Sequence, residues 1–248
     1  MKTRTKPRVA VVGTNALAES LREEISRSAD AELVLWEELQ ANPNAPAIEL
    51  VLETHNLDLK EKRTQLQLIE RVIPRDCLIL TSVLAVSATE AASWLTHSSR
   101  LVGFATFAPV EEKQLVELAG ALQTDGFYVE RARQFWLAIG KETEQVKDEV
   151  GLVFPRILAM IVNEAAFAWT EKTATAADID RAMRLGVNYP DGPLAWADQI
   201  GLDDIYAVLR GLQRELGEER YRPAPLLRKM VHAGWLGKQS GRGFYRYE

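Results

Sequence analysis

Histidine and cysteine are scarce in this chain of 248 residues: three of the one (His55, His97, His232) and a single Cys77. One cysteine excludes an internal disulfide and fits a reducing compartment. It lies in the apolar segment D-C-L-I-L, so Cys77 reads as a buried structural thiol and not as a nucleophile. With the histidines scattered, no cluster has metal-ligand spacing, and no metal site is expected. The shortage of imidazoles also limits acid–base chemistry from the outset. Long apolar runs are missing too. Behind the basic start M-K-T-R-T-K-P, the segment R-V-A-V-V-G is too short for a signal sequence or a membrane span, so a cytoplasmic protein is expected. The net charge of −5, without a long basic run, argues against a nucleic-acid surface. What is present is ordinary for a globular fold: 47% hydrophobic and 26% charged residues, and length for one large domain or two modest ones.

The first half alternates short apolar runs with helical patterns, the mark of parallel strands joined by crossover helices. Strands are expected at Arg8–Val12, 32–35, 48–52, 77–81 and 101–107, with a further one at G-F-Y-V (126–129). Helices are expected at 15–27, Leu59–Val72, 87–95, 110–121 and 131–139, and A-N-P-N-A-P (41–46) reads as a loop. From about residue 149 the strand-like runs stop. Helical spacing covers 152–170, 176–185 and Leu202–Leu216. Thr175 with Asp178 three residues on makes a capping-box-like start, and Asp203 in G-L-D-D is a candidate cap. The expected fold is therefore α/β plus all-α: a Rossmann-type parallel-sheet domain over 1–147, then a helical domain over 148–248.

Strand one runs into G-T-N-A-L-A (13–18) and then a helix, the context in which G-x-G-x-x-G lays a dinucleotide pyrophosphate on a helix N-terminus. Only Gly13 of the three glycines is present. Asn15 stands where glycine lets the backbone approach the phosphates, and Ala18 where helix and strand pack closely, a position that tolerates alanine. Strand two ends L-V-L-W-E-E. Trp36 occupies the place of the ribose-binding acid, with Glu37 beside it. Glu37 can substitute for that acid, and Trp36 can stack on adenine. Two readings of the loop stay open: an NAD site, or a Rossmann-like domain with weakened or lost cofactor binding.

Two C-terminal stretches carry a far more specific signal. N-Y-P-D-G-P-L-A-W-A-D-Q-I-G-L-D (188–203) and Y-R-P-A-P-L-L-R-K-M-V-H-A-G-W-L-G-K-Q-S-G-R-G-F-Y-R-Y (221–247) closely resemble the C-terminal domain of the 3-hydroxyacyl-CoA dehydrogenases. Upstream, I-E-L-V-L-E (48–53), L-I-L-T-S-V-L (78–84), R-L-V-G-F-A-T-F-A-P-V (100–110) and V-K-D-E-V-G-L-V (146–153) resemble the family's motifs in order, so the likeness covers essentially the whole chain. The resemblance implies an oxidoreductase of fatty acid metabolism that oxidises a 3-hydroxyacyl-CoA with NAD. It also implies dimerisation through the helical domain. In such enzymes a histidine removes the hydroxyl proton, and a glutamate twelve residues later orients it. A serine from a T-S-S-L turn and an asparagine from the first helix of the second domain hold the substrate.

Carried over residue by residue, the glutamate matches Glu117 and the serine Ser82, while Glu53 joins the cofactor-binding set as the acid ending its strand. The histidine position falls on Ala105. The asparagine three residues later, which helps position the cofactor, falls on Ala108, and the helical-domain asparagine falls on Pro155. The chain crosses from Trp36 to Ile48 in eleven residues, where the family has a long helical excursion that helps hold CoA. The expectation is a divergent member with its usual His–Glu mechanism lost. It acts either as an enzyme with altered chemistry on an acyl-CoA-type molecule, or as a non-catalytic subunit in a homodimer or a heterodimer with a related chain. Glu117 is then a relic, or a buried carboxylate that itself acts as base. Ser82 is a ligand contact or a turn cap. His55 replaces the missing imidazole in space or is a solvated loop residue. His97 and His232 read as surface residues, and Asn163 as a helix–helix hydrogen bond. Phe244 and Tyr245 are expected to pack on the helical domain.

Overall fold

The structure, a computed structural model, describes residues 6–41 and 48–247, so the A-N-P-N-A-P loop after Ala41 lies outside the described residues. The chain divides into two compact units, Met1–Leu152 and Val153–Glu248.

The first unit is built on seven strands: β1 (Arg8–Val12), β2 (Glu32–Leu33), β3 (Leu50–Glu53), β4 (Leu78–Ser82), β5 (Leu101–Ala105), β6 (Leu115–Gly120) and β7 (Glu142–Gln145). Their order in the sheet is β2-β1-β3-β4-β5-β6-β7. The first five are mutually parallel, while β6 runs antiparallel to β5 and β7 parallel to β6. Helix α1 (Ala16–Arg27) buries Leu17, Leu21 and Ile25, the stripe that its sequence spacing describes. A short α2 (Trp36–Ala41) follows β2. Helix α3 (Leu59–Val72) is capped by Asp58, whose carboxylate accepts from the Lys60 and Glu61 amides. Helix α4 (Ala88–Ser93) is capped twice, by Ser87 and by Asp148, whose oxygens accept from the Ala88 and Thr89 amides at 2.7 Å. Helix α5 (Gly126–Ala138) brings Trp136, fully buried, to 5.4 Å from the ring of Phe104 on β5.

Two expectations need correction. Residues 110–121 are not a helix: a 3₁₀ turn, Val110–Glu112, leads into strand β6. Val116 through Ala119 are all buried, so the alternation that marks a half-exposed strand is hidden. G-F-Y-V is not a strand either. Asp125 accepts from the Phe127 amide and opens α5 there. Strand β7 went unforeseen because its sequence, E-T-E-Q, is polar and carries no strand signal.

In the second unit α6 (Phe154–Thr170) packs against α8 (Pro193–Ile200), α9 (Leu202–Leu216) and α10 (Pro225–His232), with α7 (Ala176–Val187) beside α8. Thr175 caps α7 as expected. Gly201, not Asp203, is the N-cap of α9, and Asp203 sits in the first turn. Asn163 joins helix to loop, not helix to helix: its amide donates to Arg222 O at 3.0 Å, and its carbonyl accepts from Ala224 N at 2.8 Å. The closing segment is fastened by two buried carboxylates. Asp198 accepts from the Phe244 and Tyr245 amides, and Asp180 from the Tyr245 hydroxyl. Phe244 also meets the Trp169 ring at 5.6 Å. No helix among the described residues is long and apolar enough to cross a membrane.

The β5–α4 contact leaves no room at Gly103, where a Cβ would stand 2.7 Å from Val83 Cγ1 and 2.9 Å from Ala88 Cβ. Gly103→Ala is expected to lower stability by about 1–3 kcal/mol through overpacking. Urea denaturation of the two proteins, with unchanged slope and a lower midpoint for the variant, checks this.

Candidate cofactor cleft and catalytic strand pair

At the carboxyl ends of β1, β2 and β3 lies a cleft of about 560 Å³, lined among others by Gly13, Thr14, Arg22, Trp36, Glu37 and His55. The volume is that of a small-ligand site, at the edge of a parallel sheet where such ligands bind. Gly13 has φ +142°, and a Cβ on it would fall 2.0 Å from Thr54 Oγ1. The close approach of the β1 and β3 ends therefore requires glycine there. Asn15, which stands in a glycine position of the loop, is in extended backbone as the N-cap of α1. Its side chain is held within the loop. Nδ2 donates to Thr54 O at 2.9 Å, and Oδ1 accepts from Thr54 Oγ1 at 2.8 Å and Ala18 N at 3.2 Å. Ala18 is fully buried. Arg22 reaches back to donate to Gly13 O at 2.6 Å and Val11 O at 3.0 Å, which stiffens the loop. Trp36 is nearly buried on the cleft wall, and Glu37 is exposed beside it.

Below the cleft, Glu53 ends β3 with its carboxylate turned inward and fully buried, so it does not face a ligand directly. Oε2 accepts from Lys62 Nζ at 2.5 Å and Thr81 Oγ1 at 2.6 Å; Oε1 lies 2.7 Å from His55 N and 3.1 Å from His55 Nδ1. Burial acts to raise its pKa, but the Lys62 charge and the hydrogen bonds from His55, Lys62 and Thr81 win, leaving it below the usual carboxylate value. Lys62, itself fully buried, also donates to His55 O at 2.9 Å. Sequence reasoning missed Lys62 and Thr81. The signal was there for Lys62: it shares the buried face of α3 with Leu66 and Ile69, where an apolar residue is the rule. His55 is neither a solvated loop residue nor a neighbour of Glu117. It is held by Glu53 with its side chain 21% exposed, and it lies three strand spacings, about 14 Å, across the sheet from β6.

On the other side of the sheet, β5 and β6 pair so that Ala105 stands directly opposite Glu117. Opposed residues on neighbouring strands share a face, with Cβ atoms about 5 Å apart. Both are buried, as is Ala108. Ser82, at the end of β4, is fully buried, and its hydroxyl meets no partner among the described residues. The cap of the following helix is Ser87 instead. Pro155 is in the second unit, in the first turn of α6, buried.

Comparison with known proteins gives these arrangements a lineage. Residues 9–149 match the 3-hydroxyacyl-CoA dehydrogenase NAD binding domain, and residues 151–247 match the C-terminal domain of the same enzymes. The chain belongs to the 3-hydroxyacyl-CoA dehydrogenase family. A probable 3-hydroxybutyryl-CoA dehydrogenase of Bacillus subtilis is 36% identical over 209 residues, covering 84% of this chain and 73% of that protein. The 3-hydroxybutyryl-CoA dehydrogenase of Clostridioides difficile is 34% identical over 200 residues, 81% of this chain and 71% of that one. Among solved structures, M. tuberculosis FadB2 superposes with a TM-score of 0.84 at 26% identity, over 99% of this chain and 100% of its own. The (S)-3-hydroxybutyryl-CoA dehydrogenase PaaH1 from Ralstonia eutropha gives 0.77 at 27%, over 98% and 100%. The first unit is thus the family's NAD-binding domain, and its cleft, glycine turn and α1 terminus fit the dinucleotide.

The Glu53–Lys62 pair makes a signed prediction. Glu53 has a lowered pKa in the folded protein, so its contribution is present above the ordinary carboxylate value of 4.5 and is lost as pH falls through the folded value. Lys62→Met strands the charge and is expected to cost about 3–5 kcal/mol at pH 7. The lone buried carboxyl then has a raised pKa, so the loss shrinks as pH falls and protonates it. Glu53→Leu added to Lys62→Met should recover most of the stability. Denaturation midpoints of the three proteins at pH 5 and pH 7.5 read both effects.

Proposed function

We propose that this protein is a divergent 3-hydroxyacyl-CoA dehydrogenase that binds NAD in the β1–β3 cleft and lacks the His–Glu pair of its relatives. The observation that carries the reading is the register of Ala105 opposite Glu117. A carboxylate sits where it could orient a base, and the position it faces carries a methyl group. NAD, when bound, supplies hydride transfer. The chain's own contribution on the cofactor side is the α1 N-terminus for phosphates and Glu37 for a ribose hydroxyl, with Trp36 on the wall. The acidic rim of Glu19, Glu37 and Glu61 faces one arginine, Arg22, which favours a dinucleotide without a third phosphate. On the catalytic side Ala105 occupies the position opposite Glu117, so proton removal from a 3-hydroxyl group lacks its usual acceptor there. Loss of a general base costs about 10²–10⁴-fold in rate.

A second reading is a non-catalytic subunit that pairs with an active relative through the second unit. It is favoured by apolar side chains left exposed there, Ile157, Leu185 and Val187 at 55%, 72% and 54%.

Reduction of acetoacetyl-CoA with NADH tests the proposal. The native protein is expected to turn over very slowly, and Ala105→His, alone and with Pro155→Asn, to raise the rate by at least about tenfold. A native rate that Ala105→His fails to improve overturns the reading. NADH fluorescence titration separates the two roles. Saturation at micromolar concentration supports the enzyme with altered chemistry, and no saturation up to millimolar supports the subunit.

A further inference from the structure

We propose that His55 is a specificity residue of the cleft, presenting Nε2 as a hydrogen-bond acceptor to the base of the bound nucleotide so that an exocyclic amine is preferred to a carbonyl. The inference rests on the nucleotide reading above and extends it to the part of the ligand farthest from the chemistry.

Glu53 is ion-paired to Lys62, which donates to Oε2 together with Thr81. An ionised carboxylate only accepts hydrogen bonds. Its other oxygen, Oε1, lies 3.1 Å from His55 Nδ1 and also accepts from the His55 amide at 2.7 Å. In the neutral form of the ring this contact places the proton on Nδ1 and leaves the lone pair on Nε2. The Nδ1 contact to Glu53 Oε1 at 3.1 Å orients the ring, and the backbone that carries it is held by Lys62, which donates to the His55 carbonyl at 2.9 Å. His55 thus carries an imidazole of set tautomer and is one of the residues lining the cleft.

The position of the ring decides which part of a dinucleotide it meets. Phosphates lie at the N-terminus of α1, and the ribose at the acid following β2, here Glu37. Beyond them the cleft is walled by Trp36 and Gln40 of α2, by Gln65 and Leu68 of α3, and by His55. A flat base fits between the two helices, with Leu68 and Trp36 as apolar walls and a polar edge at His55. Adenine offers an N–H donor at its exocyclic position, which Nε2 accepts. Hypoxanthine offers a carbonyl there, and two acceptors would face each other.

The test compares NADH with reduced nicotinamide hypoxanthine dinucleotide by fluorescence titration of the full chain, since both ligands carry the same fluorophore. The native protein is expected to bind NADH about tenfold more tightly, the cost of one mismatched hydrogen bond. In His55→Leu the preference should fall to within about twofold, with weaker NADH binding. His55→Gln retains a polar group beside Glu53, and its amide carries both donor and acceptor. It should therefore bind both ligands to within about twofold, and it serves if the leucine variant does not fold. Equal binding of the two ligands by the native protein, or an unchanged preference in both variants, overturns the assignment while leaving the cofactor reading intact. Absence of saturable binding by either ligand overturns both.

Discussion

A carboxylate and an ammonium enclosed together at the end of β3 organise the first unit. Taking two charges out of water costs several kcal/mol each, and the Glu53–Lys62 pair is tolerable only because every remaining polar site on Glu53 is filled. Filling those sites binds four pieces of chain to one group: β3 through Glu53 itself, β4 through Thr81, α3 through Lys62, and the cleft wall through His55. A hydrophobic pair could hold α3 to the sheet as well. It could not fix the tautomer of an imidazole. Seen this way, the ion pair contributes orientation more than stability.

Across the sheet the constraint is geometric. The turn between β5 and β6 sets an antiparallel register, and that register alone brings residues 105 and 117 together. Ala105 and Ala108 are both buried, so the end of β5 and the segment after it are packed around small side chains. The two sides of the first unit thus differ in kind. The cleft side is rich in side-chain hydrogen bonds and specific placements, while the strand-pair side keeps its backbone frame with methyl groups at two of the positions where the family resemblance expects polar ones.

Much of the fold was legible from residue pattern: α1 and α3 follow from one-face burial and fell where their apolar stripes end, and β1, a short run that is apolar on both faces, matched to the residue. The errors came where a buried strand carries a charge within its apolar run, or where a strand is polar throughout. L-V-E-L-A-G in β6 is buried on both faces, and E-T-E-Q in β7 is polar, so neither shows period two. Of the site, Ala105 and Glu117 could be named only through the family resemblance, and Gly13 from its turn. Lys62 could not be paired with Glu53 without the structure, since the two lie nine residues apart and only the crossover brings them face to face. His55 drew its alternatives from the same gap, because a loop histidine looks alike in sequence whether or not a buried acid holds it.

The double capping of α4 has a consequence for how the chain can be cut. Asp148, just after β7, holds the first amides of a helix sixty residues earlier, and the Gly151 amide donates to Val83 O at 2.8 Å. These last residues are a clasp closing the unit that begins at β1, rather than a linker leaving it. A cofactor domain severed between β7 and Asp148 would keep all seven strands and still lose the fastening of the helix behind β4 and β5. The natural seam lies after Leu152, where the clasp is complete.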